Sequence, residues 1–363
     1  MAEVLERPDT DVLDQLALRY VQDDAPGLTR RRAGKGFSYR GPDGDPIRDR
    51  VMLAWVRSLA IPPAWREVWI SPWRNGHLLA TGRDAKGRKQ YRYHPSWRAA
   101  REEAKFGRML GFGRALPRIR EAVAAELGRP GLGRTKVLAT VVRLLETTLI
   151  RVGNDEYART NKSYGLTTLR DRHVKAEGGE LRFSFRGKAG KRHVVTLRNR
   201  RLARLVRQMQ ELPGQELFQY VDADGSPQPV GSGDVNAYLR AISGEDYTAK
   251  DFRTWAATVL AAWALSEFEA VDGEASAKRN ITRAIERVAA RLGNTPAICR
   301  KSYVHPEIVG AYLDGSLVAS LKEEIEQELR EELSGLEAEE VAVLVLLQRR
   351  LAEAAAQTQS AAA

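Results

Sequence analysis

Hydrophobic and polar residues alternate along the first third of the chain, with the two-residue period of half-buried β-strands. The predicted strands are Phe37–Tyr39, Val68–Ile70, Leu78–Thr81 and Gln90–Tyr93. Gly82–Arg88 has the turn residues of a hairpin between the last two strands. A helix is predicted around Ile47–Leu59. Residues from about 29 to 105 are therefore predicted to form a small β-rich domain.

The hydrophobic period changes to 3.6 residues from about residue 98, which indicates amphipathic helices. Gly128–Gly133 separates the first two of them. A short β interruption follows, with strands at Leu181–Phe185 and His193–Leu197 joined by a turn at Arg186–Gly190. The predicted helices are 98–127, 135–151, 198–211, 234–242, 249–269, 275–292 and 296–302. The predicted fold class is α+β: a small β-rich N-terminal domain and a larger, mainly α-helical domain that carries one β-hairpin.

Extensions are predicted at both ends of the chain. Residues 1–28 are interpreted as a solvated helix that ends at Ala25-Pro26-Gly27. Residues 322–356 have the pattern of two charged helices ahead of an Ala/Ser/Gln tail. The predicted domains are an N-terminal extension at 1–28, a basic β-rich domain at 29–105, a helical domain at 106–321 and an acidic helical extension at 322–363.

Composition narrows the class of protein. The 363 residues are 43% hydrophobic and 29% charged, which is ample for two domains with cores. No apolar run approaches the roughly 20 residues of a membrane span, and the acidic first residues lack the order of a secretory signal. The single cysteine, Cys299, excludes an internal disulfide framework, and the five histidines include no H-x-x-x-H pair. These features predict a cytoplasmic protein without a dedicated metal site.

Charge is distributed unevenly along the chain. The net charge is +11, but residues 30–120 hold 22 Lys and Arg against seven acidic residues, a net of +15, whereas residues 322–363 have a net of −6. Each contact between a basic side chain and a phosphate releases condensed counterions, so a polyanion is the natural partner of the basic segment. A generic basic surface is the alternative. Charge alone does not identify the polyanion.

Four short blocks in the helical region carry candidate chemistry. Arg151 ends a strongly apolar helix, the hairpin tip carries lysine, Arg253 lies near the start of an apolar helix, and the last block joins Asn294 to Tyr303. A tyrosine hydroxyl, with an ordinary pKa of about 10, needs help to attack phosphorus. Two arginines are suited to clamp the charge that builds on the nonbridging oxygens of a phosphodiester. A lysine with a lowered pKa is suited to protonate the leaving 5′ oxygen.

The last block has local signals of a short helix. Thr295 is a good N-cap and Pro296 a good first helical residue. Asn294 is then expected just before this helix and Tyr303 at its far end. Because an asparagine donates only an uncharged hydrogen bond, Asn294 is expected to contribute least to the chemistry.

Each candidate also has a structural interpretation. Tyr303 taken alone is more readily a half-buried aromatic at a helix end, and Arg151 and Arg253 are more readily ion-pair partners of Asp155 and Asp251. The hairpin lysine lies among other basic residues and is equally suited to a phosphate contact. Only the combination of the four blocks favours catalysis.

In this order, the blocks resemble the type IB DNA topoisomerases, specifically the poxvirus-like and bacterial branch, from about residue 29 to 320. The family pattern is Arg, a hairpin Lys, Arg, His or Asn, and a nucleophilic Tyr nine residues later. The matching residues are Arg151, Lys188, Arg253, Asn294 and Tyr303. The F-x-G-K motif of the family selects Lys188 over Lys191. Asn294 departs from the histidine of the poxvirus enzymes.

The resemblance implies an isomerase that relaxes supercoiled duplex DNA without ATP. It implies transient cleavage of one strand through a 3′-phosphotyrosyl intermediate, followed by religation, on the catalytic fold shared by tyrosine recombinases and topoisomerases IB. The sequence has no G-x-x-x-x-G-K-[ST] loop for binding the phosphates of ATP, which agrees with a reaction that needs no ATP. No cofactor is expected. A monomer that clamps the duplex and is associated with the nucleoid is implied as well.

The predicted DNA contacts lie mainly in the basic domain. Gln90, Tyr91 and Tyr93 match a family segment that contacts the major groove, and strand alternation places the two tyrosines on one face. A core face for both tyrosines is the alternative. Tyr157 is a further contact implied by the resemblance. The predicted phosphate contacts are Lys35, Arg83, Lys86, Arg88 and Arg92.

Two other functions remain open. A tyrosine recombinase shares the catalytic fold and the nucleophile, but the H-x-x-R motif of recombinases is replaced here by Lys250–Arg253, and their Gly-His pair by Gly293-Asn294. The β-rich N-terminal domain also favours the topoisomerase. A DNA-binding protein without catalysis is the second alternative. The acidic segment 322–363 is interpreted as a solubilising tail, a partner site or a mimic that competes for the DNA channel, and the first is favoured.

Overall fold

The computed structural model describes residues 10–85, 87–268, 273–322 and 333–362, without the side chains of residues 102, 103, 105 and 358–362. The chain divides into two compact units, Met1–Lys105 and Phe106–Ala363.

The first unit is built on an antiparallel sheet. Its strands are β1 (Leu28–Ala33), β2 (Gly36–Arg40), β3 (Arg66–Ile70), β4 (Leu78–Arg83) and β5 (Lys89–Tyr93). They lie in the order β2-β1-β3-β4-β5. The helix α2 (Arg50–Ser58) begins after Asp49, whose side chain accepts a hydrogen bond from the backbone N–H of Val51. The buried core residues are Leu28, Val56, Leu59, Val68, Ile70, Leu79 and Ala80.

The four predicted strands of this unit are confirmed, and the turn predicted at Gly82–Arg88 joins β4 to β5. β1 is an additional strand that the hydrophobic pattern does not predict, because its sequence LTRRRA has basic residues where an inward-facing apolar residue is expected. Among the described residues of the predicted N-terminal helix, 10–28, α1 covers Thr10–Gln15; residues 1–9 lie outside the described residues. Leu13 and Leu18 pack against Trp97 in a small separate cluster.

The second unit is mainly helical. Its helices are α3 (Pro95–Gly128, which begins in the first unit), α4 (Arg134–Thr148), α5 (Asp155–Asn161), α6 (Arg200–Gln210), α7 (Ser232–Ser243), α8 (Ala249–Ser266), α9 (Glu274–Leu292), α10 (Pro296–Ser302), α11 (Pro306–Leu313), α12 (Leu317–Lys322) and α13 (Ala338–Ala362). Ten of the fifteen residues of α4 are buried, and this helix packs against α7 and α8. The helices predicted from the 3.6-residue period are present, and the α+β fold class is confirmed.

The predicted hairpin belongs to a three-stranded antiparallel sheet. Its strands are β6 (Val174–Glu177), β7 (Glu180–Arg186) and β8 (Arg192–Arg198). Leu181, Phe183 and Phe185 alternate toward the core on β7, and a 3₁₀ turn at Lys188–Gly190 joins β7 to β8. A second, two-stranded sheet pairs β9 (Gln219–Val221) with β10 (Pro227–Pro229).

The C-terminal segment differs from its prediction. In α13, the apolar run Val341–Leu347 is buried in the core of the second unit. Glu340 precedes that run and accepts hydrogen bonds from Arg120, at 2.7 Å, and from the indole of Trp255, at 3.0 Å. Seven consecutive apolar residues are too hydrophobic to stay in water, so the solubilising-tail interpretation is wrong for α13. Residues 323–332, where the first of the two charged helices is predicted, lie outside the described residues.

Farther along α13, Arg350 forms ion pairs with Glu307 and Asp314, at 2.6 and 2.7 Å. Both carboxylates belong to α11 or its C-terminal end, and α11 follows Tyr303 closely in the sequence. α13 therefore holds the segment that comes directly after the predicted nucleophile.

None of the helices in the described ranges is long and apolar enough to cross a membrane. In the same ranges, no group of three or more His, Cys, Asp and Glu side chains is arranged to hold a metal ion.

Candidate active site

Arg253 is deeply buried, with 4% of its surface exposed. Thr248 caps α8 by accepting a hydrogen bond from the backbone of Lys250, and Arg253 follows in the next turn. Its guanidinium donates to the backbone carbonyls of Leu149 and Leu292, the latter at 2.8 Å. These carbonyls lie at the C-terminal ends of α4 and α9, where helix carbonyls lack partners within the helix and carry partial negative charge. Two helix ends therefore hold the buried cation.

Tyr303 lies at the C-terminal end of α10, as the sequence predicts. Thr295 is the N-cap of this helix and Pro296 its first residue. The central carbon of the Arg253 guanidinium lies 5.5 Å from the centroid of the Tyr303 ring. The backbone carbonyl of Tyr303 accepts a hydrogen bond from the hydroxyl of Thr258 on α8 at 3.2 Å. The tyrosine is thus fixed to the helix that carries the arginine.

The charges around Tyr303 favour its phenolate. Burial opposes ionisation, but Arg253, Arg151 and Lys250 outweigh it, so the pKa of the Tyr303 hydroxyl is lowered from its usual value. Burial, together with repulsion from Arg151, lowers the pKa of Arg253 to about 10. Arg253 therefore keeps its proton at neutral pH and stays a cation beside the hydroxyl.

Arg151 and Asn294 are in direct contact. Arg151, which follows α4, donates a hydrogen bond to the side-chain oxygen of Asn294. Gly293 ends α9 with φ +66°, and in this conformation the backbone N–H of Asn294 bonds to Ala289 at 2.9 Å. The side-chain nitrogen of Asn294 is buried and has no hydrogen-bond partner among the described residues. An unpaired buried amide costs about 1–3 kcal/mol, so this donor is suited to an oxygen of a ligand.

The structural interpretation of the two arginines is wrong. Asp251 accepts hydrogen bonds from the backbone and the hydroxyl of Thr248 in a capping box, and it also lies 3.5 Å from the guanidinium of Arg108. Arg253 instead contacts backbone carbonyls, and Arg151 contacts Asn294. Within the part of the chain that the structure describes, neither arginine forms the ion pair that its local sequence suggests.

The hairpin brings two lysines to the site. Lys188 is exposed, and it lines a small cavity that Arg151 and Arg253 also line. Lys191 extends from the end of the same turn, and its ammonium lies 3.4 Å from the backbone carbonyl oxygen of Asn294. Both lysines therefore lie at the site, and Lys191 has a structural partner there.

His193 is a site residue that the sequence interpretation missed. It lines the same cavity, on the half-buried face of β8 that it shares with Val195 and Leu197. The alternation of the predicted strand His193–Leu197 contains this information, because residues 193, 195 and 197 must share a face. Burial, with the nearby cations, lowers the pKa of His193.

Cys299 lies inside α10, between Asn294 and Tyr303, and is fully buried. Burial raises the pKa of its thiol to about 11. The thiol is therefore protonated at neutral pH and is not a competing nucleophile.

Two family descriptions match the chain. Residues 94–333 match the catalytic core of eukaryotic DNA topoisomerase I, and residues 36–84 match the N-terminal domain of bacterial DNA topoisomerase IB. The DNA topoisomerase 1B of Acanthamoeba polyphaga mimivirus is 33% identical over 285 residues, which cover 77% of this chain and 85% of the viral protein. The chain belongs to the type IB DNA topoisomerase family.

Poxvirus members of the type IB family are more distant. The DNA topoisomerase I of monkeypox virus is 26% identical, and the DNA topoisomerase 1B of vaccinia virus (strain Copenhagen) is 25% identical. Each match spans 240 residues, 64% of this chain and 71% of the viral protein. The bacterial N-terminal match places the chain with the bacterial type IB enzymes, and the recombinase and non-catalytic alternatives are not favoured.

Several predicted DNA contacts of this type IB chain have partners within the first unit. Arg83 lies 2.9 Å from the carboxylate of Glu67, and Arg88 lies 2.6 Å from that of Asp84. Gln90 also donates to Asp84, at 3.0 Å. The Arg83–Glu67 pair is exposed on both sides and contributes little to stability, whereas the Asp84 side chain is largely buried.

The two tyrosines of β5 share a face, as predicted: the rings of Tyr91 and Tyr93 stack with centroids 6.0 Å apart. Tyr93 also packs against the small hydrophobic cluster around Trp97. For Tyr93, this contact agrees with the alternative of a core-facing side chain. The remaining predicted contacts differ in exposure. Lys35 and Arg92 are exposed, Tyr157 on α5 is 51% exposed, and Lys86 lies outside the described residues.

Proposed function

We propose that this chain relaxes supercoiled duplex DNA by cutting one strand with Tyr303 and resealing it. The observation that carries the proposal is the position of the Tyr303 ring beside the guanidinium of Arg253, with the pKa of the hydroxyl lowered by that cation and by Arg151. A nucleophile whose pKa is lowered by permanent cations, next to donors aimed at an anion, is the arrangement that phosphoryl transfer requires.

The reaction begins when the Tyr303 hydroxyl gives its proton to solvent water, and the phenolate oxygen then attacks phosphorus. A bond forms between this oxygen and phosphorus, and the bond from phosphorus to the 5′ oxygen breaks. The products are a 3′-phosphotyrosyl ester and a 5′ hydroxyl on the other side of the nick. The phosphotyrosyl linkage keeps the energy of the phosphodiester bond that was broken. Attack by the 5′ hydroxyl on this linkage therefore reseals the strand without ATP.

The arginines stabilise the transition state in this proposal. Attack creates a five-coordinate phosphorus with extra negative charge on its nonbridging oxygens. Arg151 and Arg253 are fixed near Tyr303 by Asn294 and by two helix ends, so little reorganisation is needed when the charge develops. The unpaired side-chain nitrogen of Asn294 donates to one of the same oxygens.

Lys188 supplies the proton that the leaving 5′ oxygen needs. Without it the product is an alkoxide, which is a poor leaving group. Lys188 is exposed at the hairpin tip and lines the cavity with both arginines. Lys191, whose ammonium is engaged with the carbonyl of Asn294, serves to hold the hairpin against the turn before α10.

The basic first unit contributes sequence-independent affinity for the duplex. Lys35, Arg83, Lys86, Arg88 and Arg92 are proposed to bind phosphates, and Gln90, Tyr91, Tyr93 and Tyr157 to contact the duplex as well. The enzyme is proposed to work as a monomer on the nucleoid in the cytoplasm, without a metal or other cofactor.

Relaxation of a supercoiled plasmid in EDTA and without ATP tests this function. The wild-type protein is expected to relax the plasmid, and Tyr303→Phe to bind it without relaxing it. Tyr312→Phe is a matched control, because Tyr312 lies on α11 and its hydroxyl accepts a hydrogen bond from Asn280. Relaxation by the Tyr303→Phe protein, or a strict need for ATP, would overturn the proposal.

A further inference from the structure

The imidazole of His193 lies between two glycines, and each of these glycines directly precedes a proposed catalytic residue. Gly187, before Lys188, belongs to the hairpin turn. Gly293, before Asn294, ends α9. The ring therefore separates the two backbone turns that carry the proposed acid and the amide donor.

The fit of the ring is tight on both sides. A Cβ atom on Gly187 would lie 2.5 Å from Cδ2 and 2.7 Å from Nε2 of the ring, and one on Gly293 would overlap Cε1. Real Cβ atoms essentially never approach so closely. Gly187 has φ −98°, which other residues also adopt, so the ring and not the backbone conformation excludes a side chain there. The opposite holds at Gly293, where φ +66° already favours glycine.

The ring is also fixed from the strand side. His193 pairs with Phe185 across the hairpin, and the two rings stack with centroids 5.3 Å apart and an angle of 11° between their planes. Phe185 itself is buried in the core of the second unit. The imidazole thus stands on a rigid support and does not depend on a mobile loop.

Several cations surround this imidazole. Arg151, Arg253 and Lys191 face it, and Lys188 and Arg291 line the same cavity. Burial and the first three of these cations lower the pKa of His193. The ring is therefore neutral at neutral pH, and it adds no further charge to a cluster that is already strongly positive.

We propose that His193 is a positioning residue: an aromatic spacer that sets the separation between the turn carrying Lys188 and the turn carrying Asn294. This inference rests on the proposed function, since the separation matters only if both residues act on one phosphate. A displacement of about 1 Å between catalytic groups is enough to slow a reaction by about 100-fold. A rigid ring between the two backbones prevents such a displacement.

The experiment measures the rate of covalent adduct formation in a single turnover, with duplex DNA at saturating concentration. We expect His193→Ala to be slower by at least about tenfold, with unchanged DNA affinity. His193→Phe restores a flat ring, slightly larger than the imidazole, and is expected to be faster than His193→Ala. Val194→Ala is the control, because Val194 is adjacent on β8 but 52% exposed, and it should behave as wild type.

A double-mutant cycle with Gly187 tests the contact itself. Gly187→Ala should slow cleavage when His193 is present, because the new methyl group displaces the ring or the hairpin. In a His193→Ala background the same methyl group enters the vacated space, so the two losses should not multiply. Independent, multiplying losses would overturn the inference, and so would wild-type rates in His193→Ala.

The outcomes separate this inference from the proposed function. If the wild-type protein forms no adduct, the proposed function fails and the inference fails with it. If the wild-type protein forms the adduct and His193→Ala forms it equally fast, only the inference fails. Should His193→Ala melt below the assay temperature, Gly187→Ala decides, and a wild-type rate for that variant overturns the inference.

Discussion

The guanidinium carbon of Arg253 lies 5.5 Å from the centre of the Tyr303 ring, and the same guanidinium donates to the last carbonyl of α9. One buried side chain thus connects the proposed nucleophile to α9, whose C-cap Gly293 directly precedes Asn294. The arginine is held by backbone atoms of the fold, so its position is set before DNA arrives. This makes its geometry, and not only its charge, the property to test.

Arg253→Lys keeps the positive charge but loses the planar guanidinium. This group donates to two backbone carbonyls and also lies beside the Tyr303 ring. We expect the single-turnover cleavage rate to fall by about 100-fold or more, the usual loss when one transition-state donor is removed. Arg240→Lys is the control, because Arg240 forms an exposed ion pair with Asp246. A rate within threefold of wild type, roughly the scatter of such context effects, would show that the planar guanidinium is unimportant.

The pH dependence of cleavage follows from the lowered pKa of Tyr303. A lowered pKa means that the phenolate forms at a lower pH than in an ordinary tyrosine, so the rate should reach its plateau below the usual tyrosine pKa. Arg151→Gln removes one of the cations responsible, and the midpoint of the pH–rate profile should move to higher pH. Arg291 lines the same cavity but is not one of the three cations that lower the pKa of Tyr303, so Arg291→Gln should leave the midpoint in place. A midpoint that stays unchanged in Arg151→Gln would contradict the electrostatic account.

The two hairpin lysines should respond differently to a change of leaving group. A DNA substrate with sulfur in place of the 5′ oxygen releases a thiolate, which needs no proton. The cleavage rate of Lys188→Ala on ordinary DNA should be lower than that of wild type by about 100-fold or more. On the sulfur substrate, the same variant should recover most of its rate. Lys191→Ala should gain no such recovery, because Lys191 is proposed to hold the hairpin against Asn294. The reverse pattern would assign the acid to Lys191.

The C-terminal helix should stabilise the second unit. The Glu340 side chain bonds Arg120 and Trp255 in a largely buried setting. Glu340→Gln removes the charge and should lower the free energy of unfolding by about 1–3 kcal/mol in urea titrations. Glu339→Gln changes an exposed neighbour and should have an effect within about 0.5 kcal/mol. Equal effects of the two variants would mean that α13 is not held by this contact.

Local sequence signals predicted the elements that carry the site. The cap at Thr295 and Pro296 placed Tyr303 at the end of a short helix, and the structure confirms both. The alternation around Phe185 predicts the hairpin, which the structure confirms. A two-residue period and a glycine-flanked turn are local properties of the sequence.

The failures of prediction arose from contacts between residues distant in sequence. β1 has no hydrophobic alternation and is a strand because β2 and β3 pair with it. The apolar run Val341–Leu347 was visible, but the acidic residues around it suggested a solvated tail. The support of Arg253 by Leu149 and Leu292 depends on how α4, α8 and α9 pack, which no local pattern reveals.

The most direct test of the account is to trap the covalent protein–DNA adduct and identify the modified residue by mass spectrometry. Duplex DNA with a nick or a sulfur leaving group near the cleavage site prevents religation and allows the adduct to accumulate. We expect a 3′-phosphate ester on Tyr303 and no adduct from Tyr303→Phe. An ester on another residue, an attachment through the 5′ end, or an adduct from Tyr303→Phe would contradict it.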